Sequence, residues 1–183
     1  NATIRGAVNA GGHTLTKSGL GNLTISGALT NTNVFCIESG KLALSSYTSD
    51  GNTVQLSGGG ELSVSNWGDR ETAAVIRDNS RLALAVNGDF KSSVSGNGSL
   101  SLSGVSGIYS SFSDAENGKL ALEIQGSTVN YYPYGTASTH SGGTTLSANV
   151  VFIYDSQNLG KGEVVQNGGT IYLVDAYANL AVD

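Results

Sequence analysis

Gly40-Lys41-Leu42-Ala43-Leu44, Gly60-Glu61-Leu62-Ser63-Val64, Ser80-Arg81-Leu82-Ala83-Leu84, Gly98-Ser99-Leu100-Ser101-Leu102 and Gly118-Lys119-Leu120-Ala121-Leu122 are five versions of one short text. The leading leucines of successive versions lie 20, 20, 18 and 20 residues apart. Leu23/Ile25 after Gly21 opens the series 19 residues upstream, and Ile171/Leu173 after Gly169 resumes it near the end. A fixed period of about 20 residues marks stacked structural repeats, each too small to bury its own apolar face.

Within one version, apolar and polar residues alternate with period 2, the pattern of a half-buried strand. Val34 to Ile37 and Leu42/Leu44 flank one Gly-bearing turn; Val54/Leu56 and Leu62/Val64 flank the next. No segment sustains the i, i+3, i+4, i+7 spacing of an amphipathic helix. An antiparallel sandwich would reverse direction at each strand. Equivalent residues at equal spacing favour an all-β, right-handed parallel β-helix of about 20 residues per coil, with neighbouring coils roughly 4.8 Å apart. Leu42, Leu62, Leu82, Leu100 and Leu120 then form one internal ladder.

The outward positions agree. Lys41, Glu61 and Arg81 fall in one register and alternate in charge, so a slip of the stack would bring like charges together. Tyr47 and Trp67 share another register, five places after their apolar pairs, and are expected to meet at a coil corner or to contact a ligand there. Asp50 and Arg70 share a register as a further ion pair. Cys36, six residues before Leu42, is placed in the core with Leu56, Ile76 and Val94.

The whole chain, 1–183, reads as a single β-helix. Residues 127–145 interrupt the period as a loop, with Tyr131, Tyr132 and Tyr134 around Pro133. Val150 to Tyr154 is an unbroken apolar run, expected to be buried on both sides or packed under that loop. Leu180 to Asp183 resembles a strand cut short. An uncapped solenoid exposes strand edges that invite pairing, so the chain is expected to be part of a longer protein.

Composition narrows the function classes. Charged residues are 13% against a usual ~25%, and the net charge is −5. Lysine and arginine are too sparse for a phosphate-tracking stripe, so nucleic acid is not an expected partner. No apolar run reaches the ~20 residues that span a bilayer, and none reads as a signal peptide; membrane insertion by this segment is not expected. With Cys36 alone there is no internal disulfide.

Catalytic signals are sparse. His13 and His140 are the only histidines, and no G-x-S-x-G elbow accompanies them; Gly104 to Gly107 is one residue short of it. One cysteine and two histidines do not make a usual zinc centre, so neither a metal nor a cofactor is expected. The best carboxylate patch is Asp69, Arg70 and Glu71 with Arg77 and Asp78.

LTKSGLGNLTISG at residues 15–27 resembles the opening of the passenger-associated repeat of bacterial autotransporters, which reads LTKxGxGTLTLSG. SGGTT at 141–145, LGKG at 159–162 and NGGTIYL at 167–173 resemble its later half. This chain separates the two halves by five plainer coils. The resemblance implies a right-handed β-helix exported through the outer membrane to the bacterial cell surface or beyond. It implies an adhesin or stalk, and no shared catalytic residue. The expected function is therefore a non-catalytic adhesin or structural stalk segment. It would bind a host or bacterial surface glycan or protein, or associate with itself. Tyr131, Tyr132, Tyr134, Trp67 and Tyr47 are the candidate binding residues. A polysaccharide lyase or glycoside hydrolase on the same fold, and a phage or fibre component, are the alternatives.

Overall fold

A computed structural model describes residues 1–47, 53–68, 72–132 and 137–174. Asp50, Asp69, Arg70, Glu71, Tyr134 and residues 180–183 lie outside these. The described chain is a β-solenoid of about eight turns, roughly 20 residues apart, with parallel strands stacked along one axis.

Three faces surround the core. The first contains β1 (Ala2–Ile4), β4 (Asn22–Ile25), β7 (Lys41–Leu44) and β9 (Glu61–Trp67), then the middle of β10 (Ala73–Phe90) and of β11 (Ser93–Ile108). It continues through the first part of β13 (Leu120–Tyr131), the start of β14 (Thr144–Ile153) and β15 (Val164–Gln166). The second face contains β3 (Leu15–Lys17), β6 (Val34–Ile37), β8 (Thr53–Leu56), the starts of β10 and β11, and β12 (Phe112–Asp114). The third runs from β2 (Val8–Asn9) and β5 (Leu29–Thr30), through bridges at Tyr47 and Trp67, to the ends of the long strands and β16 (Thr170–Leu173). The long strands β10, β11, β13 and β14 bend around corners and so serve more than one face.

The leucine ladder lies where the spacing places it, with one change of register. Leu23, Leu42, Leu62, Leu82 and Leu100 stack in sequence, and Ile25, Leu44, Val64, Leu84 and Leu102 stack beside them. Leu42 through Leu102 in these columns are all at most 2% exposed. The next partner of Leu100 is Leu122, not Leu120, which pairs with Gly98. The inter-coil hydrogen bonds set this two-residue shift: Gly98 N–H reaches Lys119 O. The columns then run Leu122 to Thr144 and Ile124 to Leu146. Ile171/Leu173 does not rejoin this ladder. It pairs with Val151 and Ile153 on the third face, because β15 already occupies the first face of that coil.

Cys36 is the second correction. Phe35 and Ile37 point inward and are fully buried, whereas Cys36 sits half-buried on the outer side opposite Gln55. The turn after Ile37 is one residue shorter than the turn after Leu56. Counting back from Leu42 therefore lands on the wrong side of the pleat. Burial, and then the charge of Glu38, push the Cys36 thiol up.

The 127–145 segment is only partly a loop. Residues 128–131 are strand, paired with Val150 to Ile153, and 144–145 begin β14. Between them, Thr139 and His140 donate backbone N–H groups to Phe112 O, so these two residues continue the second face into the next coil. In the Val150 to Tyr154 run, Val151 and Ile153 enter the core, while Phe152 and Tyr154 stack outside on other rings.

Lys41 Nζ donates to Glu61 Oε1 at 2.8 Å, with Arg81 next in register. The pair is more than a quarter exposed and contributes ~0.2–1 kcal/mol. Leu82, by contrast, is fully buried in mid-ladder. Leu82→Ala is expected to lower stability by ~2–5 kcal/mol, and Leu82→Asp to abolish cooperative melting followed by far-UV circular dichroism. Lys41→Ala should move the melt by ~1 kcal/mol or less. A Leu82→Asp variant melting like the wild type would contradict the inward assignment.

Candidate functional site

The aromatic candidates divide between the interior and the surface. Tyr47 and Trp67 form adjacent rungs of the third face, 2% and 4% exposed, with ring centroids 5.3 Å apart. Phe35 stacks on the other side of Tyr47. The Tyr47 hydroxyl lies 3.4 Å from Thr32 Oγ1, and Trp67 Nε1 donates to Ser92 Oγ at 3.3 Å. Both side chains are buried and packed against their neighbours. Tyr131 is likewise fully buried, in line with Ile108 and Ile153. Its place is fixed by alternation: neighbours along a strand face opposite sides, so Tyr131 points in and Tyr132 out.

Among the described candidates, Tyr132 is the one that meets solvent. It stacks between Tyr109 and Tyr154, with centroids 4.4 and 4.9 Å away and ring planes within 13° of parallel. Each ring comes from a different coil, one residue after an inward Ile108, Tyr131 or Ile153. Beside this column, Phe152 stacks on Tyr172 at 5.1 Å. Partial burial in the stack and a hydrogen bond with Tyr132 push the Tyr109 phenol up, and nearby Asp89 acts in the same direction. Sequence reading found Tyr132 but not its partners Tyr109 and Tyr154. These are 23 and 22 residues away, and the register shifts in β11 obscure the alignment.

His140 lies outside any strand but is not exposed. It is fully buried, edge-on to Phe112 at 5.9 Å. Its Nε2 lies 2.8 Å from Thr144 Oγ1, whose hydroxyl donates to Leu159 O at 2.9 Å. The threonine proton is thereby used, so Nε2 carries the histidine proton and donates. Nδ1 then has no hydrogen-bond partner. Gly160, at φ +82°, packs so close that a Cβ there would lie 2.6 Å from Nδ1. Next to this, Asp114 accepts from Leu120 N–H, Ser141 N–H and Ser141 Oγ at 2.8, 3.0 and 2.6 Å. Serine, histidine and aspartate are thus neighbours, but Ser141 bonds to the carboxylate directly and the imidazole faces the core. The arrangement braces a coil; it is not a nucleophilic triad.

Lys17 was missed by sequence reading. It takes an inward place in register with Ile37, and its ammonium donates to the carbonyls of Ser18, Gly19 and Ser39 at 2.7–3.1 Å. A lysine at an inward strand position beside a Gly turn is the signal that could have found it.

The described carboxylates are mostly tied into the scaffold. Asp78 accepts from Gly58 N–H at 3.0 Å, and Glu123 accepts from Ser101 Oγ and Gln125 Nε2. Asp78 and Glu116 share a shallow depression of about 360 Å³ with Arg77 and Asn97. Among the described residues no His/Cys/Asp/Glu cluster is arranged to hold a metal ion, and no helix is long and apolar enough to cross a membrane. Comparison with protein-family models, curated proteins and solved structures gives no match.

Two variants test the buried polar groups. Desolvation holds His140 below its ordinary 6.5, against opposing pulls from Asp114 and the backbone of Phe112. Well above pH 6.5 the histidine is neutral whether folded or not. Below it the unfolded chain takes up a proton that the folded chain resists, so stability falls with pH by at most ~1.4 kcal/mol per unit from this group. Burial alone would raise Asp114; the bonds from Ser141 and Leu120 outweigh it and hold the carboxyl below 3.8. Its contribution is present above 3.8 and is lost at still lower pH. Urea melts from pH 7 to 5 should therefore show a slope that His140→Gln flattens; a flat wild-type profile would refute the assignment. Tyr131 Oη is buried without a partner, and burial pushes its phenol far up. Tyr131→Phe should raise stability by ~1 kcal/mol in the same melts.

Proposed function

We propose that this chain is a non-catalytic segment of a bacterial cell-surface protein, an adhesin or stalk of the autotransporter-passenger type, displayed outside the outer membrane. The observation that carries the reading is the division of labour within each coil. Inward positions are consumed by packing, and the described polar groups inside are largely committed to bracing the chain. The lateral faces remain for contact. Those faces are rich in Ser, Thr, Ala and Asn, with one aromatic column, a surface suited to hydrogen-bonded recognition of a glycan or protein, or of another copy of itself.

A second reading, a polysaccharide-cleaving enzyme, has one observation in its favour. Asp78 and Glu116 lie about two coils apart in one depression, which corresponds to ~9.6 Å along the axis and approaches the ~6.5–9.5 Å carboxylate spacing of inverting hydrolases.

One paired experiment separates them. Fluorescently labelled chain is expected to bind epithelial or bacterial cells saturably. It should release no reducing ends from a panel of plant, bacterial and host polysaccharides. Turnover that disappears in Asp78→Asn or Glu116→Gln, or in Asp69→Ala or Glu71→Ala, would decide for the enzyme.

A further inference from the structure

The tyrosine column has a geometry that selects its ligand. Tyr109, Tyr132 and Tyr154 stand on three successive coils, and their centroid spacings of 4.4 and 4.9 Å follow the rise of the solenoid. Phe152 and Tyr172 extend the aromatic surface beside them, Tyr172 being half exposed. At the opposite end the surface narrows to Asn130 and Gly107, which pair in adjacent coils. A Cβ on Gly107 would lie 2.9 Å from Tyr109 Cε2 and 2.5 Å from Asp89 Oδ1. The missing side chain thus lets the first ring and a carboxylate converge. The result is a ribbon along the axis, with half-buried aromatic rings and hydroxyls repeating once per coil.

From this, and resting on the surface-binding reading above, the geometry points to a site for a neutral, extended, equatorially linked polysaccharide lying along the solenoid axis. Three physical arguments select this class. The ribbon repeats at the coil rise, and an extended pyranose chain advances by a comparable length per sugar. A peptide strand laid the same way would repeat every ~6.8 Å. It would also leave its backbone donors and acceptors unpaired, because the solenoid's own N–H and C=O groups on this face are already used between coils. Sugar hydroxyls, in contrast, can pair with phenols, the Asn130 amide and bridging water, while sugar C–H groups cover the ring edges. Finally, Asp89 beside Tyr109 and the net charge of −5 oppose a polyanionic glycan.

The test is affinity electrophoresis of the whole chain through gels containing hydroxyethylcellulose, dextran or polygalacturonate. Hydroxyethylcellulose should retard the wild type. Dextran, which is neutral but not equatorially linked, and polygalacturonate, which is anionic, should not. Tyr109→Ala/Tyr132→Ala/Tyr154→Ala should lose at least ten-fold in affinity. Tyr109→Phe/Tyr132→Phe, which keeps the rings and guards against a folding defect, should lose a smaller, measurable part with an unchanged melt. Wild type that runs freely in hydroxyethylcellulose, or a triple variant retarded like the wild type, overturns the site. Cell binding that survives the triple variant overturns the site but leaves the surface-binding reading standing. Cell binding that the triple variant loses, and that protease treatment of the cells abolishes, shows a protein partner and overturns the glycan assignment. Release of reducing ends from hydroxyethylcellulose refutes the broader reading itself.

Discussion

Parallel hydrogen bonding from each coil to the next is the constraint on which the rest of this molecule depends. Once Lys41 is paired with Glu61 and Glu61 with Arg81, every side chain on that face acquires a neighbour about one coil above and one below. Inward columns must then be apolar over their whole length or satisfy each polar intruder locally. Outward columns become continuous stripes. The leucine columns, the Tyr47–Trp67 contact and the outward, half-buried tyrosine stack are consequences of this one repeat.

Polar groups that enter the core show how strict the constraint is. Where the leucine column reaches Thr144, a hydroxyl replaces a methyl, and it is satisfied by donating to Leu159 O and accepting from His140. Lys17 occupies an inward place near one end and surrounds its ammonium with three carbonyls. Asp114 gathers three donors where the second face continues into the stretch beside His140. Such groups add little net stability when paired but are expensive to leave unpaired. They therefore tie the histidine-bearing coil firmly to one register. His140, one of two histidines in the sequence, serves with Ser141 and Asp114 as bracing in the fold.

The functional reading rests on what remains outside. A solenoid has no cleft by default, so specificity has to come from a stripe whose chemistry differs from the plain Ser/Thr/Ala background. The stack of Tyr109, Tyr132 and Tyr154 is such a stripe. Its rings are held in place by backbone repeats, so little side-chain freedom would be lost in the proposed contact.

Sequence alone determined the repeat length, the all-β parallel architecture and the inward placement of the main leucine columns, because period-2 alternation at a constant spacing admits few other solutions. It also placed Lys41, Glu61 and Arg81 in one column and Tyr47 against Trp67. Tertiary structure decided what depends on the exact number of residues in each turn. One residue fewer after Ile37 turned Cys36 outward, and a two-residue shift carried Leu100 onto Leu122. The same limit hid the tyrosine stripe. Tyr132 was visible as part of an aromatic cluster, but only the observed register put Tyr131 inside, Tyr132 outside, and Tyr109 and Tyr154 on either side of it. Face selection flips with every single-residue change in a connection, and the described turns differ by up to four residues from one coil to the next.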